Sequence, residues 1–208
     1  MKDAVAGLTP LGLMVLALLE EGDMHPYEMM RLLRQRREDR LVTITNGTMY
    51  HTVARLERAG LVAEVGVDRD GNRPERTTYA VTASGREAVG EWIRRELGRI
   101  DRPAQFRIAL AEAHNLGRLE VIELLRERRG ALAEQHLLHH NGRDSALQRG
   151  VPDQFLVELE REVALIEAEL RWMDDLIARL ENHAFPWGPH ELPAHTERYL
   201  ADRKAARL

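Results

Sequence analysis

Between Thr45 and Val81 the hydrophobic pattern of this chain switches from the period of a helix to that of two strands. Met49, Val53 and Leu56 recur at i, i+4 and i+7, so they face a core. Thr45 is placed to cap the start of that helix with its hydroxyl, and Gly60 stands just past its end. Leu61 to Val67 and Arg76 to Val81 are short β-branched runs, joined by a polar stretch that contains the turn signal Asp70-Gly71. The pattern therefore predicts a helix of about four turns laid against a hairpin.

Stepping about 100° per residue around that helix gathers Gly47, His51, Ala54 and Arg58 opposite the core, with Thr48, Tyr50 and Arg55 on the flanks. The small residues let a large partner approach the helix axis. The flanking side chains supply donors, a ring and guanidinium groups, which suits insertion into a groove.

Two blocks of residues resemble the PadR family of bacterial transcriptional regulators. One is Tyr50, Leu56, Glu57, Gly60, Leu61 and Val62; the other runs Gly71-Asn72-Arg73-Pro74-Glu75-Arg76-Thr77-Thr78-Tyr79 and continues with Thr82 and Gly85. The likeness covers roughly the first hundred residues. It departs at Pro26, where the family expects glycine, although the neighbouring aromatic is kept as Tyr27. The resemblance implies a winged helix-turn-helix, a repressor's function, and release by a small aromatic or amphipathic ligand near a dimer interface. Trp92 and Trp172 are the aromatic residues expected to line such a site.

The rest of the chain reads mostly as helix. Thr9-Pro10 opens an apolar helix from Leu11 to Leu19, closed by Gly22. A second helix is expected from Pro26 to about Arg37, with Tyr27, Met29, Met30 and Leu33 turned inward. Arg34, Arg36, Arg37 and Arg40 crowd its end, either as a solvated face or as phosphate contacts. Thr82 caps a fourth helix to about Gly98, striped by Ala88, Val89, Trp92 and Ile93, and Asp101-Arg102-Pro103 marks a boundary. Helices follow from Ala104 to about Leu116 and from Arg118 to about His140, with Asn141-Gly142 as the expected stop and 143–151 as a polar loop.

A last long helix is expected from Pro152. Its seam of Leu156, Leu159, Val163, Ile166, Leu170, Met173, Ile177 and Leu180 alternates spacings of three and four. Such a seam wants a second helix at about 20°. The preferred partner is a second subunit, and the alternative is a bundle with the preceding helices of the same chain. Three prolines beyond Ala184 forbid regular helix before a short terminal segment.

The expected organisation is thus a winged helix-turn-helix domain over 1–100, an all-helical, coiled-coil-like dimerisation domain over 101–184, and a proline-rich tail with a short helix over 185–208. The fold class is mainly α with a small β-hairpin wing.

Net charge is −4 and the pI is about 6.2 over 208 residues, which on average argues against a nucleic-acid partner. The average conceals an asymmetry. Residues 31–79 carry ten arginines against seven acids, whereas 119–184 carry eight arginines against fourteen. A basic reader joined to an acidic partner region fits that distribution. There are no cysteines, so neither part relies on disulfides. The run from Leu11 to Leu19 is far short of the roughly 20 residues of a membrane span and lacks the marks of a signal peptide, so a cytoplasmic protein is expected.

Three fragments imitate metal sites. His190-Glu191 and His195 have Pro193 between them, which prevents a shared helical face. Asp68, Asp70 and Asn72 begin like a calcium loop but lack its glycine and its closing glutamate. His136, His139 and His140 can bring two imidazoles to one helix face, as metal ligands, as a pH sensor or simply as a polar side. No nucleophile constellation or phosphate loop is visible; no catalytic residues, resident metal or cofactor are expected.

The reading that follows is a homodimer that meets double-stranded DNA through Thr45, Asn46, Thr48, Tyr50, His51 and Arg55, with Arg69, Asn72 and Arg73 of the wing reaching backbone or minor groove. The alternative is a winged helix used for protein or ligand contact without DNA.

Overall fold

The structure, a computed structural model, describes residues 7–68, 76–188, 201, 202 and 205. Seven α-helices among the described residues are labelled α1 (Pro10–Glu20), α2 (Pro26–Gln35), α3 (Asn46–Arg58), α4 (Ala83–Leu97), α5 (Pro103–Ala111), α6 (Arg118–Gln148) and α7 (Val157–Glu181); β1 (Val62–Asp68) and β2 (Arg76–Val81) form an antiparallel hairpin between α3 and α4. The fold is mainly α: a winged helix-turn-helix followed by C-terminal helices. No helix among the described residues is long and apolar enough to cross a membrane.

The apolar run of α1 makes it the centre. Leu11 to Leu19 are all buried, and α3, α4 and β2 pack against it. Thr9 caps it by accepting from the Gly12 N–H at 3.2 Å. The hairpin gains a one-residue third strand, because Met24 and Tyr79 exchange both backbone hydrogen bonds at 3.1 Å. Met24 is fully buried, yet a single residue between Asp23 and His25 has no period by which a strand could be read.

Several element limits differ from expectation, each for a local reason. α2 stops at Gln35 because Arg37 turns the chain through the left-handed region at φ 61°. Tyr27 is exposed rather than inward, the core face of α2 being filled by Met29, Met30, Leu32 and Leu33. The expected 104–116 helix is α5 followed by a 3-10 turn at Ala113–Asn115. Pro152 precedes a 3-10 turn, Asp153–Phe155, and α7 begins at Val157.

α6 runs straight through Asn141-Gly142, where a stop was expected. An interior glycine costs about 1 kcal/mol relative to alanine, too little to end a helix whose next turn still buries Ala146. The real stop is Gly150 at φ 80°, with Gly150 N–H bonded to Leu147 and Val151 N–H to Ala146.

α6 and α7 lie antiparallel. Their cross-links run in opposite senses: Arg129 to Asp174 at 2.5 Å, Arg128 to Glu169 at 2.6 Å and His136 to Glu167 at 3.1 Å. Of the eight seam residues, Val163, Ile166, Met173, Ile177 and Leu180 are buried and Leu156, Leu159 and Leu170 half-buried. The helix that fills this seam is α6 of the same chain, where the sequence reading preferred a second subunit. The connection from Arg149 to Leu156 is short, so closing the seam within one chain orders little extra backbone.

The break at Asp101–Pro103 redirects the chain without interrupting the core. One buried cluster runs from Leu8 through Trp92 and Leu97 to Phe106, Val121, Ile166 and Leu180. At its centre lies Arg128, 2% exposed. Its guanidinium sits 3.6 Å from the centre of the Phe106 ring, bonds Glu169 through two nitrogens at 3.0 and 2.6 Å, and donates to the Arg99 carbonyl. One side chain thus joins the end of α4, α5, α6 and α7, and its burial is tolerable because the charge is paired, stacked and hydrogen-bonded.

Candidate functional site

The start of α3 is built by a reciprocal cap. Thr45 Oγ1 accepts from Thr48 N–H at 3.1 Å, and Thr48 Oγ1 accepts from Thr45 N–H at 2.9 Å. Both hydroxyls are spent on shaping the helix start, although both residues are exposed. Met49, Thr52, Val53 and Leu56 face inward, as the period demands.

The outer face is open. Asn46, Gly47, Thr48, Tyr50, His51, Ala54, Arg55 and Arg58 are all exposed. Around Gly47 there is nothing within 4 Å of where a β-carbon would stand. Tyr50 is 47% exposed, and its ring is held edge-on by His25 at 6.1 Å, so it is a fixed feature rather than a buried one. Arg55 leans back to donate to Thr9 Oγ1 at 2.6 Å, and Arg58 donates to the Ala54 carbonyl at 3.3 Å.

The arginine group at the end of α2 divides in two. Arg34 donates to the Ile44 carbonyl at 3.1 Å, and Arg36 forms a two-point pair with Glu21 at 2.6 and 3.0 Å in which both side chains are only 15% exposed. These two brace the turn into α3. Arg37 and Arg40 project into solvent beside it. The expected wing contacts Arg69, Asn72 and Arg73 lie outside the described residues; the described hairpin register runs from Val62 opposite Val81 to Asp68 opposite Arg76.

The two tryptophans proposed for a ligand are differently placed. Trp92 is 1% exposed inside the core, whereas Trp172 is 40% exposed on the outer side of α7. Sequence reasoning missed another aromatic group. Trp187 donates to the Leu116 carbonyl at 3.1 Å, Phe185 lies 6.5 Å from it under the Arg179 guanidinium, and Arg118 bonds the carbonyls of Leu180 and Phe185 at 3.0 and 2.7 Å. The prolines announced only that this stretch is not helix.

Two of the three histidines of α6 meet carboxylates, His136 with Glu167 and His140 with Asp144 at 3.5 Å, whereas His139 Nδ1 is buried without a hydrogen-bond partner among the described residues. No three His, Asp or Glu among the described residues are grouped to hold a metal. The fragments at Asp70 and Asn72 and at His190 to His195 lie outside the described residues.

A second group that the sequence did not announce sits where the turn after α2 meets the end of α5. Glu112, hydrogen-bonded by the Asn115 amide at 3.2 Å, lies near Glu21, Glu38 and Arg36. Burial, then repulsion from Glu38 and Glu21, pushes its carboxyl up to about 8, against the pull of Asn115 and Arg36. A carboxyl raised on folding confers stability that is complete below its ordinary 4.5 and is lost as pH rises through the folded value. Glu38, also raised by burial, acts in the same sense, and His114, lowered by burial, acts oppositely as pH falls through 6.5. The melting temperature is therefore expected to fall between pH 5 and 8, and Glu112→Gln to flatten that fall. An unchanged pH slope in the variant would remove Glu112 as its cause.

Residues 15–91, from α1 into α4, match the sequence profile of the family described as "Transcriptional regulator PadR-like family". Over those residues the chain is similar to the PadR-like family. The matched PadR-like segment contains all of α2, α3 and the hairpin. No curated protein matches the chain. Among solved structures, Bacillus subtilis PadR in complex with operator DNA is 15% identical, aligning over 82% of this chain and 97% of that one with a TM-score of 0.39. The smu.1604c protein of Streptococcus mutans UA159 is 18% identical over 80% and 98%, with a TM-score of 0.38. Bacillus subtilis PadR in complex with p-coumaric acid is 13% identical over 84% and 100%, with a TM-score of 0.37.

Proposed function

We propose that this PadR-like protein is a sequence-specific, double-stranded-DNA-binding transcriptional repressor that works as a homodimer in the cytoplasm. The observation that carries this reading is the outer face of α3: exposed along its length, bare at Gly47, and bordered by Asn46, Tyr50, His51 and Arg55. Such a face fits a major groove, in which helices read base edges while arginines and wing residues hold phosphates. Asn46 and His51 read bases, Tyr50 and Arg55 border them, and Arg37, Arg40 and the wing arginines Arg69 and Arg73 supply affinity that falls with salt. A duplex from upstream of the protein's own gene tests this by anisotropy. Binding that changes with sequence in His51→Ala supports it, and no binding at low salt defeats it in favour of a non-DNA interaction module.

Two copies pair through the side of α7 that its own chain leaves open. Val157, Leu165 and Trp172 are exposed there, with Ala164 and Ala168 between them allowing close approach. Two reading helices then address half-sites about one DNA turn apart on a near-palindromic operator. Leu165→Asp is expected to give a folded monomer in sedimentation, whereas Ile166→Asp, inside the closed seam, is expected to unfold the α6–α7 pair. A dimer that survives Leu165→Asp would exclude this face. A small aromatic or amphipathic ligand, taken near the same interface beside Trp172, relieves repression.

A further inference from the structure

The C-terminal segment returns to the helix-turn-helix. Gln35 donates its side-chain amide to Asp202 Oδ1 at 2.9 Å, and Arg31 donates from Nη2 to the Ala205 carbonyl at 3.0 Å. Tyr27, Arg31 and Gln35 follow i, i+4 and i+8, so they form one outward stripe of α2, with the Arg31 guanidinium 5.9 Å from the Tyr27 ring. This stripe adjoins the reading helix at both ends. Before Tyr27, the His25 ring meets Tyr50; beside Gln35, Arg34 holds the carbonyl of Ile44 at the threshold of α3.

The groups engaged on α2 are a guanidinium and an amide, and what engages them is a carboxylate and a peptide carbonyl. A phosphodiester offers the same two donors the same kind of oxygen. We infer that Asp202 and the Ala205 carbonyl are a built-in inhibitory contact that occupies, on α2, donors that duplex phosphate takes when it displaces them. The inference rests on the DNA-binding reading above and adds to it a competition within the chain. Because the contact is exposed and single-layered, its grip is modest, which suits a segment that must yield to DNA.

The test uses the full chain carrying Asp202→Ala, Arg31→Ala or both, with one duplex followed by anisotropy across a salt series. Asp202→Ala removes the acceptor for Gln35 and is expected to tighten binding about threefold at low salt. The slope of log K on log salt should stay that of wild type, because duplex phosphate takes Arg31 in both complexes. Arg31→Ala should make that slope shallower by about 0.9, and Asp202→Ala added to it should gain less affinity than it does alone. Binding by Asp202→Ala that is equal to or weaker than wild type, or an equal gain with and without Arg31, overturns the inference. Failure of the DNA reading looks different, as no variant, wild type included, then binds the duplex. A second measurement needs no DNA: amide exchange across residues 26–35 should quicken in Asp202→Ala, and unchanged exchange also overturns the contact.

Discussion

Gly85→Ala is expected to cost at least about 3 kcal/mol, at the upper end of what overpacking a filled site costs, and to leave the protein largely unfolded at modest urea. A β-carbon at Gly85 would stand 2.2 Å from the Leu61 carbonyl oxygen and 2.7 Å from a Val81 methyl. The carbonyl cannot retreat, because it accepts the Thr82 N–H at 3.1 Å, while Thr82 itself bonds the Gly60 carbonyl at 2.8 Å and caps α4 through the Gly85 N–H at 3.1 Å. The start of α4 is thus locked onto the turn between α3 and β1. Urea unfolding of the variant measures the cost, and a midpoint near that of wild type would mean the approach is looser than this geometry.

Gly47→Leu should do the reverse. The site is exposed with open space around it, so stability should stay within about 0.5 kcal/mol of wild type, as for most surface substitutions. Binding to the duplex should fall at least about a hundredfold, roughly the loss of two good base contacts, because the new side chain keeps the helix axis away from the base edges. Anisotropy and a melting curve on the same preparation separate the two effects. Wild-type affinity in Gly47→Leu would mean that α3 does not enter the groove.

These two glycines also show where the sequence was legible. Gly85 stood in the family pattern and Gly47 on a calculated outer face, and both positions follow from local rules: the three threonine caps at Thr9, Thr45 and Thr82, the apolar run of α1, and the helical periods of α3 and α4. What escaped was decided by tertiary partners. Tyr27 is apolar enough to be placed inside, but four better-placed side chains already fill that face of α2. Arg34 and Arg36 looked like their neighbours Arg37 and Arg40; only a carbonyl and a glutamate, brought close by the fold, set them apart. The seam of α7 was plain, but a heptad pattern states that a helix is wanted and does not state from which chain. The Glu112 group and the contacts of Asp202 join residues far apart in sequence, so no window along the chain contains them.

The position of Arg128 bears on how any signal would travel. With α4, α5, α6 and α7 pinned to one guanidinium and one continuous core among the described residues, the chain has no pivot at Asp101–Pro103 about which α3 could swing. In the dimer proposed above, an effector would then act as a wedge between whole bodies, tilting one rigid subunit against its twin and so altering the stride between two α3 helices, while the interior of each is carried along unchanged.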